Sequence, residues 1–216
     1  MLRGGLTIDC IVLGEIMTNC YVMVAEDAPA GACWVVDPGL TCKPLLDDLR
    51  KKQLNPQRIL ITHGHGDHIA GVAAVKRKYP DAVITVPVSD VPLLSDPMAN
   101  MSAPFGLNIT APTAEQLVEY GQELEMASLT WEVLDASGHT PGGAAYYCQA
   151  AGVVLTGDSL FAGSIGRCDI PGADQDKLLE NIRQNLLTLP DQTHVLPGHG
   201  PPSTIGHQRR TNPYLQ

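Results

Sequence analysis

Arg58-Ile59-Leu60-Ile61-Thr62, followed at once by His63-Gly64-His65-Gly66-Asp67-His68, is the stretch on which the fold and the chemistry of this chain turn. Three imidazoles and a carboxylate crowd into six residues directly after an apolar run. A borderline-soft divalent ion takes neutral imidazole nitrogen and carboxylate oxygen, so the crowding suggests a metal site. Without a cation, each of these groups would need its own hydrogen-bond partner once buried. If the apolar run is a strand, the ligands stand on the loop beyond its end, where open α/β sheets place their sites. Gly64 and Gly66 lack Cβ and are expected to take φ values closed to other residues, turning the loop so that its neighbours aim inward. A solvated polar loop, or chance crowding in a chain with seven histidines, is the plainer alternative. It weakens because His139, Asp158 and His199, each flanked by glycine, each close a β-rich segment further on.

The 216 residues are 44% apolar and 17% charged, the composition of an ordinary soluble globular protein, and are expected to form a single domain over 1–216. A net charge of −9 lacks the basic footprint that unspecific nucleic-acid binding requires, so no nucleic-acid partner is expected. Residues 6–14 are apolar but interrupted by Asp9, unlike a secretory signal, and no run is long enough to span a bilayer. Six cysteines, at 10, 20, 33, 42, 148 and 168, form no CxxC pair or tight framework, which predicts reduced thiols and a cytoplasmic protein. The sequons Asn100-Met101-Ser102 and Asn108-Ile109-Thr110 have no bearing in that setting.

Along the chain, 6–13, 19–25 and 32–36 read as strands rich in Val, Ile, Tyr and Cys. Thr41 is expected to cap a helix with Leu45, Leu46 and Leu49 on one face. After the ligand loop a second helix carries Ile69, Val72, Ala73 and Val75, and 82–86 is another strand. From 87 to 112 the period is lost, which predicts a long surface excursion with at most one helical turn, either a variable insertion or a substrate-covering flap. Strands follow at 122–125, 129–134, 144–148 and 153–156, then a helix opened by Asp174 with Leu178, Leu179, Ile182 and Leu186 at helical spacing, and a strand at 193–196. Strands in meander followed by alternating strand and helix, twice over, predict two sheets faced by helices.

The pattern HxHxDH, then His139 in Ser137-Gly138-His139-Thr140-Pro141-Gly142, Asp158 in Thr156-Gly157-Asp158-Ser159, and His199 in Pro197-Gly198-His199-Gly200-Pro201, resembles the metallo-β-lactamase superfamily. The resemblance implies an α/β fold, an αββα sandwich of two mixed sheets flanked by helices, with a binuclear site at one edge. Carried over by motif, His63, His65 and His139 would bind the first metal, Asp67, His68 and His199 the second, and Asp158 would bridge them; Asp67 and Asp158 are the carboxylates expected to serve catalysis. Gly157-Asp158-Ser159-Leu160-Phe161 with Gly163-Ser164-Ile165-Gly166-Arg167, and Gly198-His199-Gly200-Pro201 with Thr204-Ile205-Gly206 and Thr211-Asn212-Pro213-Tyr214, is similar to the short hydroxyacylglutathione hydrolases, or glyoxalase II-like proteins. Seventeen residues follow His199, so the C-terminal helical domain that holds glutathione in the long enzymes is expected to be absent. Where Cys168 stands that family usually has Thr or Ser, and a passive role is expected for it.

Two cations sharing a water lower its pKa toward about 7 and can hold an oxyanion, so neither Ser159 nor Cys168 is needed as nucleophile. The expected reaction is hydrolysis of an acyl thioester, S-lactoylglutathione-like, with two divalent ions per chain, zinc first and iron or manganese next. Arg167 is a candidate anchor for a substrate carboxylate, or else the partner of Asp169 in a structural ion pair. Arg209 and Arg210 are weaker anchor candidates than Arg167, more simply read as solvated side chains, and His194 and His207 fall outside the pattern. The Gly166 to Asp169 run also occurs in persulfide dioxygenases of the superfamily, which use one iron on two histidines and an aspartate, so a mononuclear dioxygenase is the main rival. A hydrolase of another ester, a lactone or a phosphodiester would use the same hydroxide. The partner is a small molecule rather than a membrane, and the chain is expected to be a monomer or small homo-oligomer.

Overall fold

Strand alternation builds two sheets whose inner faces share one core. The computed structural model describes residues 2–216, with side chains from Gly4 onward. The first sheet holds β1 (Leu2–Arg3), β2 (Leu6–Leu13), β3 (Thr18–Ala25), β4 (Ala32–Val36), β5 (Asn55–Leu60), β6 (Val83–Pro87) and β7 (Gln116–Val118), in that spatial order. It is antiparallel from β1 to β4 and parallel from β4 to β7. The second holds β8 (Glu123–Met126), β9 (Leu129–Asp135), β10 (Ala144–Cys148), β11 (Val153–Gly157), β14 (His194–Pro197) and β15 (Ser203–Thr204), in the order β15-β14-β11-β10-β9-β8. Within it β11 and β14 run parallel and the other pairs antiparallel. A small hairpin, β12 (Leu160–Phe161) and β13 (Ser164–Ile165), lies beyond β11.

Side chains at alternate positions sort onto opposite faces. Tyr21, Met23, Trp34, Val36 and Leu60 meet Trp131, Val133, Tyr146 and Leu155 between the sheets. Cys20, Val22, Val35, Ile59 and Ile84 point the other way, onto Leu45 and Leu49 of α1 (Lys43–Lys51) and Val72 and Val75 of α3 (Val72–Lys78). Likewise Ala145, Tyr147, Val154 and Val195 cover Leu178 of α4 (Gln175–Asn181) and Ile205 of α5 (Ile205–Thr211). Burial on both faces explains why β3, β4, β10 and β11 read as nearly continuous apolar runs. The result is the αββα sandwich.

Local expectations hold unevenly. Asp174 caps α4, accepting from the Lys177 amide at 3.0 Å. The helix continues through a π turn, Ile182–Leu186, which carries the apolar stripe onto the second sheet. Thr41 does not cap α1: it stands at φ 55°, and the cap is Cys42, which makes no side-chain bond. The helix after the ligand loop is split into α2 (Gly66–Ile69) and α3, because the Gly71 amide at the junction leaves the helical ladder and donates to Pro38 O at 2.7 Å. The 87–112 excursion contains two 3-10 segments, Val88–Leu94 and Ala103–Phe105, rather than at most one turn. β7 and β15, three and two residues long, give no period in the sequence, and α5 has Ile205 as its one large apolar residue and so shows no apolar stripe.

All six cysteines are unpaired, and among the described residues no helix is long and apolar enough to cross a membrane. Trp131 is fully buried between the sheets, 6.4 Å from Trp34. Trp131→Ala is expected to cost about 3–5 kcal/mol of unfolding free energy, read from urea midpoints at unchanged m.

Candidate metal centre

The two sheets present their strand ends at one edge, where four loops converge. His63, His65, Asp67 and His68 follow β5, His139 follows β9, Asp158 follows β11 and His199 follows β14. Hydrogen bonds between sheets lock that edge: the Ala144 amide donates to Thr62 O at 2.9 Å, Tyr146 Oη to Ile61 O at 2.8 Å and Tyr21 Oη to Pro197 O at 2.7 Å. Asn19 Nδ2 reaches both Pro197 O and Gly200 O at 2.9 Å, fixing the His199 loop.

The sequence-predicted residues come together as two groups. In His63, His65 and His139, ligand atoms lie within 4.8 Å of one another, and the same bound holds for Asp67, His68 and His199. The first three rings stand 4.6–5.1 Å apart, steeply inclined to each other, around a common point. Asp158 sits between the groups, 3.7 Å from His139 Nε2 and 3.4 Å from both His68 Nε2 and His199 Nε2. His199 Nε2 is 3.2 Å from Asp67 Oδ2.

Outer partners fix the tautomers. His68 Nδ1 bonds Asp37 Oδ2 at 2.9 Å and His139 Nδ1 bonds the Arg167 carbonyl at 2.8 Å, leaving each Nε2 aimed inward. Thr62 Oγ1 donates to Asp37 Oδ2 at 2.6 Å, so its 3.1 Å contact with His63 Nδ1 is one in which the ring donates. Thr18 Oγ1 donates to Asp67 Oδ2 at 3.0 Å. His63 Nε2, His139 Nε2 and Asp158 Oδ1 are buried and have no hydrogen-bond partner. An orphaned buried polar atom costs about 1–3 kcal/mol, and three of them converging are what a cation would satisfy. The donor set, imidazole nitrogen with carboxylate oxygen, fits a divalent first-row metal.

Electrostatics divide the two groups. Burial pushes His63 far below its ordinary value and His65 down to about 3, with neighbouring imidazoles adding to the effect, so both present neutral lone pairs. Burial alone would also lower His68, but Asp67, Asp158 and Asp37 outweigh it and raise it well above 6.5. Burial acts the same way on His199, whose hydrogen bonds to Asp158 and Asp67 nevertheless raise it to about 10. Burial would raise Asp67 and Asp158; His68 and His199 hold them down instead, Asp67 at about 2.

Sequence reasoning missed two carboxylates. Asp37 ends β4 at φ 48°, a left-handed conformation that Asp tolerates better than most, and its position after a strand and before Pro-Gly resembled that of Asp158. Asp90, fully buried, accepts from the Gly64 amide at 2.8 Å, Thr140 Oγ1 at 2.7 Å and the Gly142 amide at 2.6 Å, tying the first ligand loop to the His139 loop. Gly64 and Gly66 serve by lack of bulk, not by unusual φ: a Cβ would meet Leu93 Cβ at 2.6 Å and Ser102 Cβ at 2.9 Å. Gly198 is required for a like reason, since its Cβ would lie 2.1 Å from Asp158 Oδ1.

Arg167 lies at the rim with its guanidinium on Asp169, Nε to Oδ1 at 2.8 Å and a terminal nitrogen to Oδ2 at 2.9 Å. Arg209 and Arg210, expected to be solvated, both pair with Asp191, and Arg209 also donates to Leu187 O and Leu189 O. His194 opens β14 opposite Thr204, and His207 is exposed on α5. Ser159 Oγ donates to Thr156 O at 2.8 Å; the Cys168 thiol, raised by burial, lies 3.5 Å from Gly166 O. A cavity of about 380 Å³ opens over the centre, lined by His65, Asp67, His139, Asp158 and His199 and by residues of the 87–112 segment.

A two-sheet sandwich with a His and Asp metal-binding cluster at one edge defines the class: a metallo-hydrolase. The chain belongs to the metallo-beta-lactamase superfamily, whose profile matches residues 13–201. It is 36% identical over 204 residues to the probable metallo-hydrolase YqgX of Bacillus subtilis, covering 94% of each chain. It is 31% identical over 212 residues to the hydroxyacylglutathione hydrolase GloC of Haemophilus influenzae, covering 97% of this chain and 98% of that one. Among solved structures, BLEG-1 B3 metallo-beta-lactamase superimposes with a TM-score of 0.92 at 37% identity, covering 97% of this chain and 100% of that one. TTHA1623 in a di-iron-bound form superimposes with a TM-score of 0.85 at 35% identity, covering 96% and 100%.

Asp90→Asn would set an amide nitrogen against donors, and is expected to weaken metal affinity by about 10–100-fold, measured by competition with a chromophoric chelator. The pKa shifts give a second expectation. Above about pH 3 His65 has no proton to lose, whereas His199 holds one up to about pH 10. Metal uptake at the Asp67, His68 and His199 group is therefore expected to release protons and to tighten with rising pH, by up to about tenfold per unit for each proton displaced. Uptake should draw no proton from His63 or His65 near neutrality; proton release per metal bound, followed with an indicator dye, separates the two steps.

Proposed function

We propose that the protein hydrolyses an acyl thioester, S-lactoylglutathione-like, at a centre of two divalent ions, zinc by preference with iron or manganese as alternatives. The carrying observation is the convergence of two complete ligand groups, with Asp158 between them, at the floor of an open cavity. His63, His65 and His139 would hold one ion, Asp67, His68 and His199 the other, and Asp158 both. Bound there, the ions supply hydroxide at neutral pH and stabilise charge developing on a carbonyl oxygen.

The chain's own groups do the rest. Asp37 and the Arg167 carbonyl keep His68 and His139 from rotating. Asp67 and Asp158 remain ionised at neutral pH and offset cationic charge. Ser159 and Cys168 spend their donors on backbone carbonyls, so no side-chain nucleophile competes with water. The water oxygen forms the new C–O bond, the C–S bond breaks, and the products are a carboxylate and a thiol with release of one proton. A thiol is a good enough leaving group that no dedicated acid is required. Arg167 would offer its remaining N–H groups to a polar part of the substrate at the rim.

GloC, alike over nearly the whole chain, supports the thioester. The rival, a dioxygenase with one iron on two histidines and an aspartate, would leave the second group without purpose. We place the protein in the cytoplasm as a single domain. Purified protein should carry two metals, release thiol from S-lactoylglutathione and take up no oxygen with glutathione persulfide; one iron with oxygen uptake overturns the reading. A β-lactam belongs in the same panel, given the likeness to BLEG-1. Asp158→Asn should lower kcat by more than the ~10–100-fold that loss of an outer hydrogen-bond partner costs.

A further inference from the structure

The walls of the cavity differ in character from its floor. Besides the floor residues, the lining includes Met101, Phe105 and Leu107 of the 87–112 segment, and Ile16, Leu40 and Ile170. Phe105 is 65% exposed, Ile16 44% and Leu107 39%, so these are apolar side chains left in water around an opening rather than parts of the core. Isolated exposed apolar residues are ordinary, but a set of them rimming a concave metal centre is what a ligand would cover.

The Phe105 side of the wall is built to stay in place. Asn100, buried, donates from Nδ2 to Leu93 O and Ile109 O, both at 2.9 Å, and accepts from the Ser102 amide at 3.1 Å. Its carbonyl accepts from the Gly66 amide at 2.8 Å, joining the wall to the ligand loop itself. Ser102 Oγ accepts from the Ile109 amide at 3.2 Å and closes the turn that carries Phe105 and Leu107. Apart from the floor histidines, the cation lining the cavity is Arg167, and its charge is already matched by Asp169 in a two-point contact. The walls therefore offer apolar area and no free positive charge to a peptide-like carrier with two carboxylates.

Resting on the hydrolase reading above, we propose that the cavity selects substrates whose acyl arm is uncharged and apolar, laid against Phe105 and Leu107, in preference to S-lactoylglutathione. Phe105 and Leu107 are then the specificity-determining residues. With the metal-loaded protein, kcat/KM should rise from S-acetyl- through S-butanoyl- to S-hexanoyl-N-acetylcysteamine by roughly threefold to fourfold per methylene, the gain that burying one methylene confers. The gain should fall mainly in KM, and S-lactoylglutathione should be the poorer substrate. Phe105→Ser combined with Leu107→Ser, at exposed positions where folding is not at stake, should flatten the series. A flat series in the unaltered protein, or faster cleavage of S-lactoylglutathione than of the hexanoyl thioester, overturns the inference.

Failure of the thioester reading is separable. Calorimetry of hexanoate and acetate on the metal-loaded protein needs no turnover. Hexanoate binding at least about tenfold tighter than acetate, the gain expected for a few buried methylenes, and loss of that difference in the double variant uphold the apolar wall even if no thioester is cleaved. Equal affinities overturn it.

Discussion

Everything at the active edge follows from the cost of holding imidazoles and carboxylates out of water in an apolar sandwich. His63, His68 and His139 are buried, and the inward nitrogens of His63 and His139 lack a partner. The chain meets that cost in two ways. Half of each donor's capacity is satisfied from behind, by Asp37, Thr62, Thr18 and the Arg167 carbonyl, which also decides which ring nitrogen faces inward. The other half is left to a cation, so the folding of the edge and the binding of metal are one problem. Close approach serves the same end: where Gly198 passes Asp158 there is no room for a side chain.

The candidate ligands were legible in the sequence because the signal is local: each group follows a strand, and His65, Asp67, His139, Asp158 and His199 each come directly after a glycine. The two sheets were legible because burial on both faces makes β3, β4, β10 and β11 read as long apolar runs. What supports the ligands was not, since it arises from pairs distant in sequence. Asp37 meets His68 across 31 positions and Asp90 meets Gly142 across 52. The glycines at 64 and 66 were recognised as necessary for the wrong reason: the restriction is space against Leu93 and Ser102, residues of a segment whose placement no periodicity gives. That 87–112 segment reads as polar and irregular because its order comes from side-chain bonds made by Asp90 and Asn100 rather than from a repeating backbone pattern.

On the proposed reading, that segment separates chemistry from selection. Asp90 at its start ties the ligand loops to each other, while Phe105 and Leu107 further along face the cavity. The loops after β5, β9, β11 and β14 can thus stay as they are while the wall changes, and a superfamily that shares the centre can differ in substrate.

The central claim is that seven side chains drawn from four loops hold two cations side by side. Anomalous diffraction from crystals of the metal-loaded protein tests it most directly. The account predicts two peaks, one among His63, His65 and His139 and one among Asp67, His68 and His199, with Asp158 touching both. A single peak, or metal held elsewhere with His139, Asp158 and His199 turned away, would contradict it.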